Sequence, residues 1–167
     1  VKIKPPFRLD KITSIAVTVF LGLILLGAAT QCRGAEPVAQ FELGHTVIRG
    51  PATAARLSVQ WPDAGPKDAG FECGLTLIGE YEYKGSQPNQ AIADCALVDG
   101  LRGFDFGIGP AYLQNIDTVN GSHFNFHLLA RWTSPNGRHM VTWHHWSNAG
   151  TVKPNAGRDI VAYGYRF

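Results

Sequence analysis

The sequence predicts an all-β chain closed into an eight-stranded antiparallel transmembrane barrel, and three observations lead to that class. After residue 36, apolar side chains recur at every second position, not at the 3.6-residue spacing of a helix. Clusters of Gly, Pro, Asn and Asp divide this alternation into about eight runs of about ten residues, the dimensions of a small membrane barrel. The two faces also differ in kind. One is heavily aromatic, whereas the other carries Glu42, Arg56, Glu72, Glu80, Glu82, Asp105, His127 and Arg131, with both signs of charge together. A soluble barrel points its apolar face inward and its charges outward. Mixed charges suit pairing inside a narrow lumen, and an aromatic face suits a lipid-facing band with girdles at its edges. A soluble exported β-barrel that binds an apolar ligand is the competing architecture, and the aromatic face argues against it.

The runs follow in order. Phe41, Leu43, His45 and Val47 form the first stripe, and Ala55, Leu57, Val59 and Trp61 the second. A longer stripe takes in Phe71, Cys73, Leu75, Leu77, Gly79, Tyr81 and Tyr83, and a weaker strand covers 90–99. Phe104, Phe106, Ile108, Pro110 and Tyr112 come next, then Phe124, Phe126, Leu128, Ala130 and Trp132. The last two stripes are Val141, Trp143, His145, Ser147 and Asp159, Val161, Tyr163, Tyr165, Phe167. Turn signals lie at 50–51, 62–70, 84–89, 115–121, 134–137 and 149–156. The closing Tyr163-x-Tyr165-x-Phe167 alternation resembles the sorting signature of bacterial outer-membrane proteins.

Residues 1–35 read differently. Lys2, Lys4, Arg8 and Lys11 precede an uncharged apolar run at 15–29, and small residues follow at Gly27, Ala28, Ala29, Gly34 and Ala35. This is the layout of a secretory signal peptide, with cleavage after Ala29 or Ala35, leaving 36–167 as one barrel domain. The run is shorter than the roughly 20 residues a spanning helix needs. Bulky Gln31 ahead of Cys32 speaks against a lipoprotein. An exported chain permits a disulfide between Cys73 and Cys95, but two separate small apolar residues fit the pattern equally. With 15 Lys plus Arg against 13 Asp plus Glu and no basic block, nothing points to nucleic acid.

The chemistry concentrates between residues 145 and 159. A serine hydroxyl needs an adjacent base to become a useful nucleophile. Residues two apart on a strand share a face, so His145 and Ser147 lie side by side. Asp159 belongs to the next strand, and its parity places it on the same face, where it can hold the imidazole in the right tautomer. Together His145, Ser147 and Asp159 form a candidate catalytic triad that interrupts a lipid-facing stripe near its end. Polar groups there are costly without a role. If the chain starts on the periplasmic side, the 149–156 connection is the seventh and faces outside, which puts the three residues at the outer rim.

The segment His145-x-Ser147-Asn148-Ala149-Gly150, then Pro154-Asn155-x-Gly157 and the acidic Asp159, resembles the hallmark of the outer-membrane lipid A 3-O-deacylases (PagL-type acyloxyacyl hydrolases). Upstream, the 103–112 stretch with Gly107-Ile108-Gly109 is similar to a strand of that family, and the resemblance is faint before 103. It implies a carboxylic-ester hydrolase of the bacterial outer membrane with Ser147 as nucleophile and His145 as general base. Its substrate would be lipid A of lipopolysaccharide, met in the outer leaflet among membrane lipid. Asp159 stands where a member of that family has Glu, and one methylene fewer leaves its reach to His145 in question. A non-catalytic small barrel serving adhesion or membrane integrity is the alternative reading that this change favours.

Asn148, Gly150 and Asn155 are the candidate oxyanion donors, although hairpin residues of this kind also shape turns. Lys153 and Arg158 flank the site as candidate contacts for lipid A phosphates. His144 has the opposite parity from His145 and is expected to point into the lumen. His123, His127 and His139 read as hydrogen-bonded structural histidines, because no spacing sets them among acidic partners. Trp143 and Trp146 read as interface aromatics. The chemistry calls for no cofactor and no metal, and a homodimer stays open.

Overall fold

The computed structural model describes residues 36–48, 50–65, 69–101 and 103–167, so the expected signal peptide lies outside the described residues. The strands are β1 (Val38–Thr46), β2 (Thr53–Trp61), β3 (Gly70–Ile78), β4 (Tyr81–Glu82), β5 (Ser86–Gln87), β6 (Gln90–Leu101), β7 (Phe104–Leu113), β8 (Phe124–Thr133), β9 (His139–Ser147) and β10 (Arg158–Arg166). Eight of them close into a single antiparallel barrel in the order β1-β10-β9-β8-β7-β6-β3-β2, while β4 and β5 form a hairpin of their own. Closure comes from β1, whose Phe41 faces Leu57 of β2 on one side and Tyr165 of β10 on the other. Gly44 permits the second seam, because a Cβ there would run into the β10 backbone at Val161 and Ala162.

Period-two alternation now has physical content. Leu57, Phe106 and Ile108 are each 58% exposed and Phe124 is 76% exposed, all on the outer wall with Leu43, Phe104, Phe126, Trp132, Val161 and Tyr163. A continuous apolar wall of that extent has no place in water, and lipid is the solvent it fits. Inside, the opposite parity is charged and paired. Arg56 donates from both terminal nitrogens to Asp94, each at 2.8 Å, and also meets Thr76 at 3.1 Å and Glu72 at 3.3 Å. Arg131 donates to the other oxygen of Glu72 at 2.6 Å. His144 lies inward as its parity requires, 3.0 Å from Glu42 and 3.0 Å from His127. In a medium without water such groups persist only when they satisfy one another. Toward one end the interior turns apolar, where Ala54, Ile78, Ile92, Leu113, Trp146 and Ile160 pack with Tyr81 and Val119. The lumen is therefore a packed core rather than a channel.

Three expectations change, and one alternative that the sequence leaves open is decided. The long third stripe stops at Ile78, where the Gly79 N–H turns to the Thr53 carbonyl at 3.0 Å, and the chain reverses through Lys84 (φ 51°) and Gly85 (φ 108°). Tyr81 consequently packs into the barrel mouth, and Glu80 and Glu82 are exposed on the connection instead of lining the lumen. The weak strand at 90–99 is the longest among the described residues, running from Gln90 to Leu101, with β3 paired to it along 90–98 and β7 along 92–101. Trp146 is not an interface aromatic. It is fully buried, donates to Asp94 at 3.2 Å and stacks on His127 and His144. Finally, Cys73 and Cys95 stand opposite each other across β3 and β6 and are disulfide-bonded on the outer wall, with Val59, Trp61, Phe71 and Leu75 around them.

Candidate active site

The two ends of the barrel differ. At one end the strands are joined by 47–52, 79–89, 114–123 and 148–157, and at the other by 62–69, 102–103 and 134–138. Long connections on one side and shorter turns on the other are the usual asymmetry of these barrels, the long ones lying outside the cell. The His145–Ser147–Asp159 cluster sits at the long-loop end.

Register builds it. β9 presents Val141, Trp143, His145 and Ser147 outward, and β10 pairs Asp159 directly with His145. His145 Nδ1 lies 2.9 Å from Asp159 Oδ1, and the two side chains are 23% and 8% exposed. The shorter acid thus reaches the imidazole, because the two residues are cross-strand partners and no extra methylene is needed. Trp143 donates its indole N–H to the same Asp159 oxygen at 3.2 Å and stacks on His145 with centroids 5.6 Å apart. With Nδ1–H given to the carboxylate, Nε2 is the imidazole nitrogen left with a lone pair. On the remaining side stands Gly157 (φ 71°), where a Cβ would come within 2.5 Å of His145 Cε1. Ser147, half-buried, ends β9 opposite Phe126 of β8 and shares the outward face with His145 two residues away. Strand parity, rather than a hydrogen bond, brings it there; catalytic contacts of this kind often tighten only around substrate.

The other candidates divide. Asn148 is buried, accepts the Gly150 N–H at 3.0 Å, and donates its amide to the Val152 carbonyl at 2.8 Å. Both residues are therefore engaged in the turn, Gly150 through its one N–H and Asn148 through its oxygen and one of its two amide hydrogens. Asn155 accepts the Asn148 N–H on its Oδ1 at 3.0 Å, which leaves its NH2 end as the donor of this group. Lys153 is exposed. Arg158 is a correction: opposite parity from Asp159 turns it inward, where it is 2% exposed, ion-paired to Asp117 and stacked over the Tyr81 ring. A phosphate outside the barrel cannot reach it. The three histidines read as structural each have a protein partner, His123 the Leu113 carbonyl at 2.8 Å, His127 the His144 ring at 3.0 Å, and His139 the Tyr163 hydroxyl at 2.6 Å.

Two residues were given no role of their own in the sequence, although Gly157 stands in the motif. Gly157 carried a signal, since a turn glycine beside a catalytic strand often marks a left-handed backbone. Asp117 carried none, because its partner is 41 positions away.

Fold and site together define a class: a small transmembrane β-barrel with a serine and a histidine–carboxylate pair on its outer wall. The chain belongs to the lipid A 3-O-deacylase (PagL) family, whose model matches residues 53–167. Among solved structures it is similar to one described as the crystal structure of the outer membrane enzyme PagL. The match has 20% identity and a TM-score of 0.58, and covers 78% of this chain and 98% of that one. No curated protein matches.

Proposed function

We propose that this chain hydrolyses the ester at the 3-position of lipid A in the outer leaflet of the bacterial outer membrane, using Ser147, His145 and Asp159. The observation that carries the reading is the 2.9 Å His145–Asp159 contact on the lipid-facing wall, beside Ser147, at the long-loop rim. Ser147 Oγ attacks the ester carbonyl while His145 Nε2 takes its proton. Asp159 keeps the imidazole oriented and stabilises the imidazolium that forms. As the tetrahedral intermediate collapses, the C–O bond to the sugar breaks, and His145 returns the proton to the departing sugar hydroxyl. A water molecule, deprotonated by the same imidazole, then attacks the acyl-serine carbonyl; the bond to Ser147 Oγ breaks, His145 returns the proton to that oxygen, and the fatty acid is freed. Asn155 is the proposed oxyanion donor, a contribution on the order of 3 kcal/mol. Lys153 is the proposed contact for a lipid A phosphate. An outward-facing site lets the ester be cleaved without extracting the lipid from the leaflet. Export by the 1–35 leader, with cleavage after Ala29 or Ala35, belongs to the same proposal.

Mass spectrometry of lipid A from a host lacking other deacylases tests the activity. Expression of this chain is expected to remove the mass of one ester-linked acyl chain, and an unchanged spectrum with the barrel assembled in the outer membrane would discard the reading. A second expectation concerns Gly157. Substitution Gly157→Ala forces a Cβ against His145 and strains a left-handed backbone. Displacing the base by about an ångström costs about 100-fold in kcat. Deacylation time courses on a normally folded G157A barrel check this, and a wild-type rate would mean that His145 is not the base.

A further inference from the structure

We propose that Asp117, in the connection between β7 and β8, is a positioning residue for Asp159 and acts through Arg158; the inference rests on Asp159 orienting His145. One carboxylate performs two tasks. Its Oδ1 accepts the N–H groups of Val119 at 2.8 Å and Asn120 at 2.9 Å, which folds the tip of the connection. Its Oδ2 takes the Arg158 guanidinium, and both side chains are almost fully buried, at 3% and 2% exposure. Arg158 also lies over the Tyr81 ring, 5.4 Å from its centroid, so the 79–89 connection holds it from another side.

The consequence for the site follows from alternation. Arg158 is the first residue of β10, and Asp159 is the next. A guanidinium fixed inside the barrel sets the position and orientation of the backbone at 158, and that fixes where the Asp159 carboxylate emerges outside. The same folded tip grips the far arm of the β9–β10 connection. The Gly121 N–H donates to the Pro154 carbonyl at 2.7 Å, the Ala156 N–H to the Val119 carbonyl at 2.9 Å, and Asn120 bridges Asn155. Asn120 also donates its amide to the Trp146 carbonyl, between His145 and Ser147, at 3.4 Å. Asp117 therefore ties together both strands that carry the site, through Arg158 on β10 and through the folded tip on β9. A charge pair shielded from water is well suited to this, since losing one partner leaves the other buried and uncompensated.

The test reads the geometry and the reaction separately. In a 15N-histidine-labelled barrel in detergent micelles, the His145 Nδ1–H held by Asp159 should give a low-field, slowly exchanging proton signal, assigned by its loss in His145→Gln. Asp117→Asn is expected to broaden or abolish that signal and to lower kcat between about 10- and 100-fold at unchanged KM. The barrel should still show its heat-modifiable band, and Asp117→Glu should recover part of both losses. If Asp117→Asn does not assemble, Arg158→Lys, which keeps the charge but shortens the reach, takes its place with the same expectations. An intact His145 signal in the folded variant overturns the proposal whatever happens to the rate. If the signal is lost but the wild-type barrel never deacylates lipid A, the positioning stands and the hydrolase reading falls.

Discussion

Substituting Ser147→Ala is expected to lower deacylation by at least about 10⁴-fold while the barrel assembles, heat-modifies and reaches the membrane as before. The size follows from the role proposed for Ser147 as nucleophile: without Oγ no acyl-serine forms, and a triad missing one member retains only what binding and the oxyanion donor supply. The structural silence follows from position. Ser147 is the last residue of β9, half-buried on the outer wall, and its loss removes one oxygen without opening an interior cavity. His145 and Asp159 keep their contact across β9 and β10, so the imidazole signal should persist in S147A. Lipid A mass spectra from cells expressing the two versions at equal levels are the measurement. Retained activity in S147A would mean that His145 activates water directly and that no covalent intermediate exists.

Most of the barrel was legible because its solvent imposes one rule on every strand. Alternate residues must be apolar outside and satisfied inside, and that rule leaves a period of two from Phe41 to Phe167. The shared outward face of His145, Ser147 and Asp159, on which the proposed triad rests, was legible for the same reason, as parity puts the three on one side of the wall. Two errors came from not applying that rule strictly enough. Trp146 lies between His145 and Ser147, and Arg158 precedes Asp159, so parity alone turns both inward. The rest depended on contacts across long stretches of chain. Nothing near Tyr81 announces that it will leave its stripe to cover Arg158, and nothing near Asp117 announces its role. Asn148 looked like an oxyanion donor because its residue type suits that task. Only the positions of Gly150 and Val152 reveal that its amide is already engaged.

Arg56→Met should produce the largest loss of stability available from a single lumen residue. The guanidinium lies between Asp94, Glu72 and Glu42, 3% exposed, with Thr76 completing its partners. Gly74 exists at its level because a Cβ would fall within the guanidinium itself. Methionine fills the volume but removes the charge, leaving Asp94 to His127 and Trp146 and Glu72 to Arg131. Breaking a buried ion pair from one side costs about 3–5 kcal/mol, more than the pair itself contributes over an apolar replacement. The heat-modifiable band of R56M should therefore melt at a markedly lower temperature, and urea unfolding from micelles should show the same deficit. A compensating change separates charge imbalance from packing. Asp94→Asn added to Arg56→Met removes one stranded carboxylate, so the double variant should be more stable than R56M alone. If it is instead less stable by the sum of the two single losses, the lumen is held by the shape of these side chains and not by the balance of their charges.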